Sequence, residues 1–277
     1  MSSKIIVDSC CDLTPEMKQE MGITSVPCYL RLGDKEFCDD DLLDRAGFMN
    51  EMHHFPGKAS SAAPSPLSYQ EAIEQEGDTY VVTLSRKISS SYGNAVIGIG
   101  DAVAAGKPDV CLLDTKSASA GETLVVIKLY ELIRANLPKE EILGAIQKFI
   151  DGMKTFFVLE NYDNLQKNGR ISKVTGSLIH LLNIKLIMGA DGQGEIALFE
   201  KCRGKKKMIQ QLLSLISKSG RETADENLVI SHCNNYSLAE EVKKLIRERF
   251  QFKCIYIIPT GGLSSLYADD QGIVMAF

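Results

Sequence analysis

Thr79 to Gly106 reads TYVVTLSRKISSSYGNAVIGIGDAVAAG, and how it divides decides the fold. Tyr80-Val81-Val82-Thr83-Leu84 is an uncharged, β-branched run, the signature of a strand buried on both faces, as in a parallel sheet. Tyr92 to Ala105 places Ala, Val and Ile at helical spacing. Ser85 and Ser89-Ser90-Ser91 stand between them. Open α/β sheets bind ligands just beyond the carboxyl ends of their strands, where the next helix begins. A helix start offers free N–H groups and the positive end of a dipole, which suits a carboxylate or phosphate, and hydroxyls can add short bonds to the same anion. The same serines also suit a plainer role, one capping the helix and the others facing water.

The flanking sequence extends this unit on both sides. Lys4-Ile5-Ile6-Val7 is a first strand, left through Asp8-Ser9, and Thr14-Pro15 is an N-cap followed by a first-turn proline. Asp8 and Ser9 then lie at a strand's carboxyl end, as a ligand-facing pair or as a turn and cap. Ile23 to Leu32 reads as one strand, and Gly33-Asp34 turns it into a hairpin with Lys35-Glu36-Phe37-Cys38. Asp39-Asp40-Asp41 precedes a helix expected from Leu42 to His53, where acidic residues complement the dipole; a metal is the alternative reading. Phe55 to Pro66 is a loop by composition, and Leu67 to Glu76 a helix. Val110 to Asp114 is the next strand, with helices at Gly121 to Asn136 and Lys139 to Gly152.

After Gly152 the pattern changes. A strand at Lys154 to Leu159 and a short helix at Asn161 to Lys167 lead into Leu178 to Asn183. Ile184 to Met188 and Glu195 to Glu200 flank the turn Gly189-Ala190-Asp191-Gly192. Helices follow at Gly204 to Lys218 and Leu238 to Phe250, with apolar strands at 227–231, 252–258 and 272–277. The expectation is an N-terminal doubly wound α/β domain over 1–152, with four parallel strands and a small β-hairpin insert around 26–40. A C-terminal α+β domain over 153–277 would carry a mixed or antiparallel sheet.

Composition narrows the function. The 277 residues are 44% hydrophobic and 24% charged, with a net charge of −5. No basic excess supports nucleic-acid binding, and Lys205-Lys206-Lys207 reads as a solvated helix start. The eight cysteines form no CxxC pair and the four histidines complete no metal pattern, so no metal is expected. With no secretory signal and no long apolar stretch, a soluble protein of the reducing cytoplasm is expected. The chain has no P-loop, no GxGxxG after its first strand and no GxSxG elbow. Hydroxyl-rich loops and much apolar volume remain, a combination that suits an anionic head group with an apolar tail.

Four motifs, in order, resemble those of the DegV family. They are Ile6-Val7-Asp8-Ser9-Cys10-Cys11-Asp12-Leu13, Ser60-Ser61-Ala62-Ala63-Pro64-Ser65-Pro66, Leu84 to Tyr92, and Asn164-Leu165-Gln166-Lys167-Asn168-Gly169-Arg170-Ile171-Ser172. The resemblance implies a non-catalytic protein that binds a long-chain, palmitate-like fatty acid between two domains. It would present the carboxylate to a separate ATP-dependent fatty acid kinase, use no cofactor and make at most transient membrane contact. It assigns the carboxylate to Ser61, Ser89 and Arg170, with Ser9, Ser90 and Ser91 as secondary candidates, and kinase docking to Arg203. The sequence departs from the family at Ala62, where a serine is usual, and at Ser90, where a glycine is usual. Ile258-Pro259-Thr260-Gly261-Gly262 stands where an H-x-G-x-G motif is usual. The rival readings are a serine-dependent acyl hydrolase using Ser89 or Ser91, and a binder of a smaller anionic metabolite.

Overall fold

The structure, a computed structural model, describes residues 3–73, 77–107, 110–171 and 184–277. The expected helix end near Glu76, the segment Leu178 to Asn183 and Ser172 lie outside the described residues.

β1 (Lys4–Asp8) buries Ile5, Ile6 and Val7, as a strand covered on both faces must. α1 (Pro15–Met21) begins as its sequence dictates: Thr14 Oγ accepts the Met17 N–H at 3.3 Å, and Gly22 closes the helix in the left-handed conformation at φ 63°. β2 (Ile23–Val26) then pairs parallel with β1. The single strand expected from Ile23 to Leu32 is two. Pro27 has no N–H for a ladder, and beyond it β3 (Tyr29–Leu32) belongs to a different sheet. β3 turns at Gly33, φ 62°, into β4 (Lys35–Cys38).

α2 (Arg45–His54) starts three residues later than expected, where Asp44 caps it by accepting the Gly47 N–H. Asp39 therefore does not serve this helix. The expected loop at 55–66 contains β5 (Ala59–Ala62), which pairs antiparallel with β3 and completes a three-stranded sheet. Its small, hydroxylated residues look like a loop because the partner strand, not their own propensity, orders them. α3 (Pro66–Ala72), β6 (Thr79–Thr83), α4 (Ser91–Ala104), β7 (Val110–Asp114), α5 (Ala120–Arg134) and α6 (Lys139–Gly152) finish the first half. Its main sheet is wholly parallel, in the order β2-β1-β6-β7.

The second half runs β8 (Thr155–Val158), α7 (Asp163–Lys167), β9 (Ile184–Ala190), β10 (Ile196–Arg203), α8 (Lys205–Lys218), β11 (Asn227–His232), α9 (Tyr236–Arg247), β12 (Cys254–Pro259), α10 (Gly262–Ala268) and β13 (Ile273–Ala276). Its six-stranded sheet has the order β10-β9-β8-β13-β11-β12 and is antiparallel except between β11 and β12. α10 was not expected from sequence. α5 buries nine residues and contacts both large sheets, so one apolar cluster joins Val7 and Val82 to Val229 and Val274.

Asp39 fastens the small sheet to the rest. Its carboxylate accepts the Ser9 hydroxyl at 2.8 Å and the N–H groups of Gly262 and Leu263 at 2.9 Å each, capping α10 rather than α2. Removing the acceptor strands several buried donors. Asp39→Ala is expected to cost about 2 kcal/mol or more in urea unfolding, and Asp39→Asn distinctly less. Equal effects from the two variants would show that Asp39 does not act as this acceptor.

Candidate functional site

The carboxyl ends of β1, β6 and β7 face α10 and the strands of the mixed sheet. An apolar cavity lies between them, about 900 Å³ when the solvent-open space at its mouth is counted. Leu84 and Ile88 from the first half, and Leu159, Leu165, Ile196 and Leu263 from the second, form much of its wall. Ser117 and Thr155 also line it, but their hydroxyls bond each other at 2.8 Å.

The three principal head-group candidates come together on this cavity. β5 carries Ser61, the loop before α4 carries Ser89, and the segment after α7 carries Arg170; all three line the wall and are half-buried. Ser89 Oγ accepts the Ser91 N–H at 3.1 Å, which leaves its proton free to donate. Arg170 spans the two halves: Nε donates to the Ile88 carbonyl at 3.2 Å and Nη1 to the Asn168 carbonyl at 2.5 Å.

The secondary candidates lie elsewhere. Ser9 is buried between Asp39 and the Cys28 N–H, and Ser91 is buried against Asp8 and Tyr69. Neither lines the cavity. Ser90 is exposed and borders a polar cleft outside the mouth, together with Arg86, Lys87 and Asn168. Arg203 is exposed at the end of β10.

Tyr267 was missed in the sequence. α10 brings its hydroxyl within 2.9 Å of Ser61 Oγ at the cavity wall, and the Arg170 guanidinium lies 6.0 Å from its ring centroid. The only local cue is the pair Gly261-Gly262, which precedes a helix too short to show periodicity. Glycine at 262 is required by packing, since a Cβ there would lie 2.4 Å from both Asp39 and Leu43.

Beneath the cavity four carboxyl groups, Asp8, Asp12, Asp39 and Glu122, are buried. Asp12 accepts the Gly261 N–H at 2.8 Å and the Ser119 hydroxyl. That bond helps hold Ser119, a cavity residue, at φ 55°, a strained conformation for a side chain other than glycine. Desolvation pushes Asp8 and Asp39 each up to about 6, even though hydrogen bonds pull both down. The same cause raises Asp12 and, more strongly, Glu122.

One donor atom each from Asp8, Cys10 and Glu122 lie within 4.8 Å of one another, the one such group among the described residues. It fits a metal poorly. The Asp8 oxygens already accept the N–H groups of Cys10 and Leu84 and the Ser91 hydroxyl, and burial disfavours the ionised, metal-binding forms of both the Cys10 thiol and the Glu122 carboxyl. Nor is a serine nucleophile assembled. Among the described residues no histidine contacts a serine: His53 pairs with Asp269, His54 with the Asn50 carbonyl, and His232 with the Asn235 N–H.

The fold and this cavity between the two halves of the chain define a binding protein with an apolar slot. A model of the DegV family, described as an uncharacterised protein family, matches residues 2–275, and the chain belongs to that family. A DegV domain-containing protein of Streptococcus pneumoniae is 34% identical over 281 residues, covering 100% of this chain and 99% of the relative. A DegV family protein of Ruminococcus gnavus, refined with vaccenic acid, superposes with a TM-score of 0.96 at 36% identity over all of both chains. The Streptococcus pneumoniae Fatty Acid Kinase (Fak) B3 protein, loaded with linoleic acid, gives 0.92 at 33% identity over 100% of this chain and 99% of its own.

Two outcomes follow from this geometry. Tyr267→Phe removes one hydroxyl from the wall and is expected to weaken fatty-acid binding about three- to tenfold by calorimetry, near the worth of one hydrogen bond. No change would remove Tyr267 from the head-group set. The second concerns stability. Asp8 and Asp39 bind protons more tightly folded than unfolded, so their contribution is complete below the ordinary carboxylate range and is lost as pH rises through about 6. Unfolding free energy is therefore expected to be greater at about pH 5 than at about pH 8, by an amount on the order of a few kcal/mol, and the thermal midpoint correspondingly higher. A midpoint that falls on acidification over this interval would contradict it.

Proposed function

We propose that this protein binds a long-chain fatty acid in the interlobe slot, with the tail against Leu84, Leu159, Leu165 and Leu263. Its carboxylate would meet Ser61, Ser89 and Tyr267, with Arg170 beside them. The observation that carries the reading is the convergence of these groups from both halves of the chain on one apolar cavity. Relatives loaded with vaccenic and linoleic acid support it. An acyl tail gains about 0.8 kcal/mol per buried methylene, so a palmitate-like chain gains on the order of 10 kcal/mol before ordering costs. The head-group contacts then need only fix orientation and offset desolvation of the acid.

The protein presents that carboxylate to a separate ATP-dependent kinase and performs no chemistry itself. The kinship with the Fak B3 protein supports this step, as does the cationic cleft of Arg86 and Lys87 outside the mouth, which suits a phosphoryl group. Arg203 is assigned to kinase docking.

Native mass spectrometry of the freshly purified protein should show one fatty acid per chain. Ser61→Ala combined with Ser89→Ala should weaken palmitate binding at least about tenfold, two hydrogen bonds' worth, while Lys206→Ala leaves it unchanged. Equal losses would undo the site assignment. Labelling by an activated-serine probe would instead favour a hydrolase.

A further inference from the structure

Asp8 does something for the slot that its position at a strand end does not reveal. Its Oδ1 accepts the Cys10 N–H at 3.1 Å. Its Oδ2 accepts the Leu84 N–H at 3.0 Å and the Ser91 hydroxyl at 2.6 Å. Ser91 Oγ lies 2.6 Å from the Tyr69 hydroxyl, which extends the chain to α3. Leu84 follows the last residue of β6, before the head-group loop, and Ser91 begins the helix after it. One carboxylate therefore pins both ends of the arc that contains Ser89.

Directly beside it is a group without a role in anything described so far. Glu122, in the first turn of α5, is fully buried, and neither of its carboxyl oxygens has a hydrogen-bond partner. One of them lies within 4.8 Å of an Asp8 oxygen and of Cys10 Sγ. The titratable groups that face the pair are Cys10, Cys11 and Asp12 from the segment after β1, Tyr69 from α3, and Cys28 and Asp39 around the small sheet. All are acids, and among the described residues no cation bonds to Asp8 or Glu122. Two ionised carboxylates this close in a dry site repel strongly, so one must hold a proton.

We propose that Glu122 is the proton-bearing member of a buried carboxyl pair with Asp8, and that the pair is a positioning element that sets Ser89 for the acyl head group. The assignment rests on the acyl-binding reading for its functional part only. Asp8 must be the anion, because all three of its partners donate to it. A neutral Glu122 has a hydrogen to turn towards Asp8, which satisfies a side chain that is otherwise unpartnered. When Glu122 loses that proton, a second buried charge forces the pair apart. The Leu84–Ser91 arc then loosens, and so does its grip on a ligand that is itself an anion.

Palmitate binding to the full chain, titrated from about pH 7 to about pH 9.5, tests this, since the ligand stays ionised throughout. The wild type should weaken about tenfold or more towards the alkaline end, the equivalent of about one pKa unit. Glu122→Gln should keep the neutral affinity within about twofold and give a flat profile, because the amide donates without ionising. Asp8→Asn should weaken binding at every pH and speed hydrogen exchange at the Leu84 amide. Should it fail to fold, Ser91→Ala, which removes only the α4 anchor, should weaken binding with the alkaline limb retained. Infrared difference spectra should show a protonated-carboxyl band in the wild type that Glu122→Gln abolishes.

A flat wild-type profile, or a stoichiometric metal lost in Glu122→Gln, would overturn the proposal. So would Glu122→Gln costing as much at neutral pH as Asp8→Asn. A wild type that binds no palmitate would refute the acyl reading instead; the infrared band would still decide the pair, and its absence would sink it.

Discussion

The segments that border the slot are held by hydrogen bonds to buried carboxylates with no cation in contact among the described residues. Asp8 takes the end of β6 and the start of α4, Asp12 takes Ser119 and the approach to α10, and Asp39 takes the first N–H groups of α10. These segments come from distant parts of the chain, and the acids at the end of β1 and in the small sheet bring them to one place. The arrangement costs stability, since desolvation raises every one of these carboxyls. A lysine beneath the slot would have relieved that cost. It would also have drawn an acid ligand head-first into the interior. In the proposed binding mode, charge buried without a counter-charge favours the carboxylate at the mouth and the tail in the depth.

This separates affinity from orientation. The apolar wall is non-directional and supplies most of the free energy. In the proposed binding mode the hydroxyls of Ser61, Ser89 and Tyr267 are directional and supply little. Neutral donors suit that role, because a bidentate guanidinium grip would occupy both oxygens of the acid and hold them more tightly. Arg170 is available for such a grip yet spends at least two donors on the carbonyls of Ile88 and Asn168. In that state it acts as a strut between the Ser89 loop and the end of α7, and adds positive potential without enclosing the head group.

The parallel sheet was legible chiefly from β1, β6 and β7, whose centres Ile5-Ile6-Val7, Tyr80-Val81-Val82 and Val110-Cys111-Leu112-Leu113 are uncharged apolar runs followed by hydroxyl-bearing loops. The hairpin after Leu32 was legible from Gly33-Asp34. What escaped were features that depend on partners. β5 is ordered by β3, not by the propensity of Ala59-Ser60-Ser61-Ala62. Asp39 reads as part of an acidic helix start, but it caps a helix more than two hundred residues away. α10 is too short for a periodic signal. Of the site, Ser61, Ser89 and Arg170 could be named only because whole motifs resembled a family; residue chemistry alone left a cap and solvated hydroxyls equally open. Ser9 and Ser91 bear the same hydroxyl and sit within the same motifs, yet both face inward to carboxylates. A sequence does not say which of three adjacent serines points into a cavity.

The change at the C-terminal motif shows what the site can and cannot do. Where the family usually carries a histidine, this chain has Pro259-Thr260-Gly261-Gly262, and the turn leads into α10. The helix delivers Tyr267 to the cavity wall. A phenol can donate to a carboxylate as an imidazole N–H does. It has no basic nitrogen to accept a proton from a substrate or to shuttle one. Thr260, in its turn, is buried and committed to Ser265 and the His232 carbonyl. Among the described residues no histidine hydrogen-bonds a serine, burial raises the Cys10 thiol, and the carboxyl on the slot's wall is that of Glu195. Such a wall is suited to selecting, orienting and holding an acid.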